Sequence, residues 1–266
     1  MKWFGQGWLG IACSILSAMA QAQSPSLRPA TSADAASQFI VLGTASGPSS
    51  EAGRAQPANA LLVRGQLYLV DAGDGAVAQL ARAGLRLPAV RAVFLSHLHF
   101  DHTGGMLAVI GLRMQLEVGG TVRLFGPPGT QEFINGLLAA SAPAMRAGYG
   151  IPGRGWSADI DVTELTDGDS LAVDGFKVTA ADNTHFALPD GDPGPAEGVS
   201  LSFRFDLADR SIVYTGDTGP SDAVAVAHGA DLLVSEMIDS DRVLALMRPA
   251  GAPAANRAGE APTGFA

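Results

Sequence analysis

Three histidines and an aspartate fall within six consecutive positions, His97-Leu98-His99-Phe100-Asp101-His102, in a chain of 266 residues that has only 5 histidines. Imidazole and carboxylate at this density point to a bound metal ion, since zinc and its neighbours take N and O donors of this kind. His97 and His99 are two apart, so on extended backbone both rings point to the same side. Asp101 and His102 follow where the chain curls towards Gly104 and Gly105, which can present a second pair of ligands beside the first. At this composition the pattern H-x-H-x-D-H arises by accident on the order of 10⁻⁴ times per chain, so it is read as a metal site.

Stepping out from these residues, Ala92 to Leu95 is an apolar, strand-forming run that delivers the histidines, and Met106 to Leu112 reads as the helix that follows them. Upstream, Gln38 to Thr44 reads as a strand, and Ala60 to Arg64 and Gln66 to Val70 form a hairpin turning at Gly65. That hairpin ends in Asp71-Ala72-Gly73-Asp74-Gly75, ahead of a helix of about ten residues from Ala76. Downstream, Thr121 to Phe125 is a short strand and Thr130 to about Ala140 a helix. The later part reads as strands at Val162 to Leu165, Ser170 to Val173, Phe176 to Ala181, Val199 to Phe205 and Ser211 to Tyr214. Strand–helix alternation predicts an α/β fold with parallel pairing in the first half. Trp156 is read as a packing aromatic or as part of an entrance.

The histidine motif behind a buried strand resembles that of the metallo-β-lactamase superfamily of metal-dependent hydrolases. Ser211-Ile212-Val213-Tyr214-Thr215-Gly216-Asp217-Thr218 resembles that superfamily's G-D-T motif, in the form of its ribonuclease Z and arylsulfatase-like branch. The likeness runs from about residue 39 to about residue 238. It implies a four-layer αβ/βα sandwich, and it assigns His97, His99 and His185, with Asp217, to one ion. Asp101, His102 and Asp217 fall to a second ion, with Asp217 bridging the two. His185, a lone histidine at a strand end, is a ligand by this resemblance. Asp217 alone would otherwise read as a helix N-cap. Asp71 is either an ordinary turn or cap aspartate or, by the same resemblance, the carboxylate that braces the histidine loop from behind. His228, ahead of Gly229, is read as a structural helix-end histidine.

The chain departs from the family pattern at its end. Members continue with a further helix and strand carrying a final histidine for the second ion, whereas no histidine follows His228 here. Residues 249–266 contain 13 Ala, Gly or Pro and no periodic apolar face. The expectation is therefore that the last helix–strand unit is missing, with Glu236 or Asp239 as possible stand-in ligands. At the other end, residues 1–22 read as a signal peptide with a small-x-small site at Ala20-Gln21-Ala22, and no stable membrane span after cleavage. The single cysteine, Cys13, lies inside it, leaving no thiolate ligand elsewhere. The domain expectation is a leader over 1–22, a polar linker over 23–37, the metal-binding domain over 38–240 and a loosely ordered tail over 241–266.

Charge bears on the partner. The formal net charge is −9, and −10 once Lys2 is removed with the leader; an acidic surface lacks the electrostatic term that dominates phosphate-backbone affinity, so the composition argues against nucleic acid. A metal ion with an open position lowers the pKa of water from about 15.7 towards 7. The sequence thus predicts a periplasmic or secreted metal-dependent hydrolase of a small ester, lactone, phosphodiester or sulfate ester. A ribonuclease Z-like phosphodiesterase and a non-catalytic metal-binding remnant are the alternatives. Zinc is the default ion, with manganese or iron compatible with the carboxylates. Oligomeric state is not legible.

Overall fold

The computed structural model describes residues 36–47, 50–116, 118–147, 159–187, 198–219 and 222–237. The expected leader, nearly all of the linker, Trp156, Asp239 and the tail lie outside the described residues. Among the described residues, eleven strands form two facing sheets. The first holds β1 (Gln38–Gly43), β2 (Ala58–Val63), β3 (Gln66–Ala72), β4 (Val90–Phe94), β5 (Val122–Gly126) and β6 (Ile160–Glu164), side by side in chain order. Pairing is antiparallel as far as β3 and parallel from β3 to β6. The second sheet runs β11 (Leu232–Val234), β10 (Ser211–Tyr214), β9 (Leu201–Asp206), β8 (Phe176–Asp182), β7 (Ser170–Val173), with only β10–β11 parallel.

Alternation along the strands separates two cores. Leu67 and Leu69 of β3 and Val93 of β4 face the helices, in a cluster with Leu80, Met106, Val109 and Ile134. Their neighbours Tyr68, Val70, Ala92 and Phe94 face inward, against Val178, Phe203 and Phe205 of the second sheet. Phe94 stacks on Phe125 at 5.0 Å and meets Phe205 edge-on at 5.2 Å, so the aromatic centre of the sandwich lies directly behind the histidine loop.

The helices are α1 (Ala76–Arg82), α2 (Phe100–Thr103), α3 (Met106–Gln115) and α4 (Thr130–Ala147). Three differ in length from the sequence expectation, α3 among them by running on to Gln115 rather than ending at Leu112. α1 is seven residues rather than ten because Gly84, at φ 72°, closes it: Gly84 N–H donates to Ala81 O at 3.0 Å and Leu85 N–H to Leu80 O at 2.9 Å. α4 continues to Ala147 with Pro143 inside it, past the expected end near Ala140. Proline removes one helical N–H, a loss that is tolerated where the freed carbonyl can meet water, and Ala139 is exposed. Outside the second sheet the helical layer is reduced, among the described residues, to one 3₁₀ segment, Asp222–Ala227. No described helix is long and apolar enough to cross a membrane.

Candidate metal centre

The backbone leaves β4 at Phe94, bends at Ser96 and winds into α2 immediately after His99, which is itself extended at φ −60° and ψ 147°. One short segment therefore presents two histidines from the loop after the strand and two ligand types from the first turn of a helix. Gly105 N–H donates to Ala72 O at 2.8 Å, docking this helix onto the end of β3. The G-D-T turn reaches the same place from the second sheet. Gly216 has a φ of 61°, and a Cβ there would stand 2.7 Å from that of Ser96, so both its handedness and its lack of a side chain are used.

His185, 83 residues beyond His102 in the sequence, arrives at the end of β8. Its Nε2 lies 3.0 Å from His99 Nδ1, and its ring centroid lies 4.6 Å from that of His97 and 4.9 Å from that of His99. Asn183, which sequence reasoning passed over, holds the loop. Its Oδ1 accepts the His185 N–H at 3.0 Å, and its Nδ2 donates to Thr215 O at 2.9 Å. Two groups of donor atoms result, each contained within 4.8 Å: His97, His99 and His185, and His97, His102 and Asp217. Asp101 belongs to neither group; its Oδ2 is 3.7 Å from His102 Nε2. Glu236 also belongs to neither, lying instead against Asp217 and accepting the Thr218 N–H at 3.0 Å.

Asp71 lies behind both groups, fully buried, with a left-handed φ of 57°. Ser96 N–H donates to its Oδ1 at 2.7 Å, while Ser96 Oγ at 2.8 Å and Tyr214 Oη at 2.7 Å donate to Oδ2. His102 Nδ1 lies 2.7 Å from the same oxygen, and His97 Nδ1 lies 3.0 Å from Ser96 Oγ. Since the Ser96 proton goes to Asp71, its oxygen accepts from His97 Nδ1–H. Both rings thus carry Nδ1 protons in the neutral state and keep their Nε2 lone pairs for a ligand on the side away from Asp71 and Ser96, the arrangement that an outer hydrogen-bond partner imposes on metal-bound histidines generally. Ser96 and Tyr214 were also passed over, because a serine before a histidine and a tyrosine in a core strand carry no signal of their own.

The site fits a divalent ion on its own observations. His97 Nε2 and His102 Nε2 are buried nitrogens without a hydrogen-bond partner. His102 Nε2 nonetheless stands 3.0 Å from Asp217 Oδ1, an approach that a shared cation rationalises. The His99–His185 separation is close to the roughly 3.3 Å edge of a tetrahedron of nitrogens at zinc distance. Electrostatics agree. Burial, with help from the neighbouring His102, pushes His97 down to about 3, leaving it neutral and able to ligate. For His102 burial also acts downward but is outweighed by Asp71 and Asp217, which lift it to about 11. A pair of carboxylates that captures a proton so firmly is a place where a cation replaces that proton. Burial and then the adjacent Asp217 push Glu236 up to about 8.

Comparison with known proteins agrees with this geometry. Residues 66–260 match the family model described as a beta-lactamase superfamily domain. Ribonuclease Z of Mycobacterium sp. (strain KMS) is 32% identical over 212 residues, covering 77% of this chain and 70% of that protein. Among solved structures, human tRNase Z, short form, superposes with a TM-score of 0.57 at 22% identity, covering 73% of this chain and 76% of the other. Zn(2+)-bound PqqB from Methylobacterium extorquens gives 0.56 at 16% identity, covering 79% and 77%. These two likenesses show the fold. The ribonuclease Z relatives overturn the inference, drawn from net charge, that nucleic acid is an unlikely partner. Net charge sums the whole surface, whereas phosphate affinity depends on the contacting face, and each divalent ion in the site adds two positive charges there. By family model, sequence relatives and fold together, the chain belongs to the beta-lactamase superfamily and is a metallo-β-lactamase-fold, metal-dependent hydrolase.

Proposed function

We propose that this chain hydrolyses phosphodiesters, with RNA among its substrates, and that His97, His99, His185, His102 and Asp217 hold the divalent ions it requires. The observation that carries the reading is the convergence of five ligand-type side chains from both sheets, two of them presenting buried Nε2 atoms that no hydrogen bond engages. The relatives named ribonuclease Z choose the phosphodiester among hydrolysable bonds. Zinc suits the all-nitrogen group, and the Asp217 group also accepts manganese or iron.

When bound, the ions supply Lewis acidity towards a phosphoryl centre. The chain's own residues do the rest. Asp71 fixes the imidazole tautomers through His102 Nδ1 and Ser96 Oγ. A cavity of about 360 Å³ opens beside Asp101 and Asp217, walled by Thr44, Gly47, Arg54 and Tyr214, and it receives the substrate. Asp101 borders this cavity, where its carboxylate orients the attacking water and takes up its proton. Arg54, held in place by Glu51 at 2.6 Å, offers a cation to the phosphodiester at the cavity wall.

The test is turnover by the purified full chain, with zinc or manganese and after chelation, on bis(p-nitrophenyl) phosphate, a 3′-extended tRNA transcript, a sulfate ester and a lactone. Metal-dependent cleavage of the first two supports the reading. Selective turnover of the sulfate ester or lactone, or inactivity of a folded and metal-loaded chain, contradicts it.

A further inference from the structure

Asp101 is gripped from two sides by bare backbone. Its Oδ2 accepts the Gly47 N–H at 2.9 Å. A Cβ on Gly47 would fall on the carboxylate itself, with Oδ1 2.9 Å away, and a Cβ on Gly73 would overlap the Asp101 carbonyl oxygen. Residues 44–47, which carry this contact, also form one wall of the cavity beside Asp217 and Tyr214. The same segment is tied to the far side of its loop: Ala45 N–H donates to Ala55 O at 2.8 Å, and Arg54 donates to Thr44 O at 3.3 Å.

We infer that Gly47 is a positioning residue for Asp101. Its amide fixes one carboxylate oxygen, leaving Oδ1 for the reacting group, and its missing side chain lets the cavity wall lie directly on the carboxylate. The chemistry assigned to Asp101 rests on the phosphodiesterase reading, but the contact and its effect on metal binding do not.

The decisive variant is Gly47→Ala, with Gly53→Ala as its control, since Gly53 lies in the same loop and a Cβ there meets nothing within 4 Å. Zinc is titrated into the metal-free full chain against a chromophoric competitor, and kcat and KM are measured on bis(p-nitrophenyl) phosphate. In Gly47→Ala the first zinc equivalent should bind as in the wild type and the second at least about tenfold more weakly, the loss typical of disturbing a group that supports a metal ligand, since Asp101 Oδ2 stands 3.7 Å from His102 Nε2. The kcat should fall by at least about tenfold while KM stays within about twofold, the pattern of an interaction made in the transition state. Gly53→Ala should match the wild type throughout.

Asp101→Ala removes the clash, so it keeps the test alive should Gly47→Ala fold poorly. In that background Gly47→Ala should have no further effect on the second equivalent. Additive losses in the double variant, wild-type binding of both equivalents by Gly47→Ala, or a wild-type chain that takes up one zinc only would each overturn the inference. If the wild type has no phosphodiesterase activity, that reading fails while the zinc titration still decides the role of Gly47.

Discussion

Two aspartates stand at opposite ends of the sandwich and are built alike. Asp71, one residue before the end of β3 in the first sheet, takes the hydroxyl of Tyr214 from the second; Asp174, in the β7–β8 turn of the second sheet, takes the hydroxyl of Tyr68 from the first. Both hydroxyl bonds are 2.7 Å, and both aspartates have a left-handed φ, 57° and 46°. They part company in their remaining partners. Asp174 meets Arg123 at 2.7 Å and Arg91 at 3.3 Å where water still reaches, and is a staple between sheets. Asp71 is fully buried and spends its other bonds on Ser96 and His102, so the same motif there fixes ring nitrogens. Burial and the choice of imidazole over guanidinium separate a functional carboxylate from a structural one, because guanidinium has no lone pair to offer a metal ion.

The comparison breaks most visibly with Asp71→Asn. Removing one partner of a buried charged pair costs on the order of 3–5 kcal/mol, and loss of the bond that orients metal-ligating histidines costs roughly 10–100-fold in metal affinity. Urea unfolding and zinc titration read both, and a variant with wild-type zinc affinity would remove Asp71 from the account. Tyr214→Phe should follow, at about 2 kcal/mol for a hydrogen bond to a charged group, with zinc still bound; unfolding indistinguishable from wild type would show that the hydroxyl does not bear on Asp71. Asp174→Asn should cost about 1 kcal/mol or less, since the ion pairs are partly solvated, and leave zinc affinity untouched.

The arginines and Tyr68 sharpen the contrast through pH. Although burial raises it, the bond from Tyr68 and the charge of Arg123 outweigh this and hold the Asp174 carboxyl below its ordinary value. Its contribution is therefore complete above the unfolded carboxyl value of about 3.9 and disappears as pH falls through the folded value. Unfolding of wild type and Asp174→Asn should thus differ by a constant amount from pH 5 to 8, on the order of the 1 kcal/mol above, and converge in stronger acid. A difference that grows as pH falls would contradict the ion-pair assignment. Arg91→Ala should have the smallest effect, a few tenths of a kcal/mol, abolished by salt.

Much of this was legible in the chain. The histidine motif and the G-D-T turn are local patterns, so His97, His99, His102 and Asp217 could be named before any fold was known. The hairpin at Gly65 was readable from turn chemistry, as was the pairing of its strands. Gly84 was also in view as a helix stop, and reading it would have given α1 its correct length. What escaped depends on distance in sequence: Tyr214 meets Asp71 across 143 residues, and Gly47 meets Asp101 across 54. No periodicity encodes such contacts. The end of α4 was placed near Ala140, short of Ala147, because helix continuation past Pro143 depends on solvent satisfying the freed carbonyl, which the local sequence does not show. Net charge misled about nucleic acid because it averages over faces that never touch the substrate.

The central claim is that His97, His99 and His185 share one ion while His97's neighbour His102 turns its Nε2 towards Asp217 and another. Anomalous diffraction at the zinc edge, from crystals grown with zinc, tests it most directly. The account predicts a peak about 2.0–2.1 Å from a ring nitrogen of each of His97, His99 and His185. Zinc found only elsewhere, or a peak that any one of the three rings fails to reach, would contradict it.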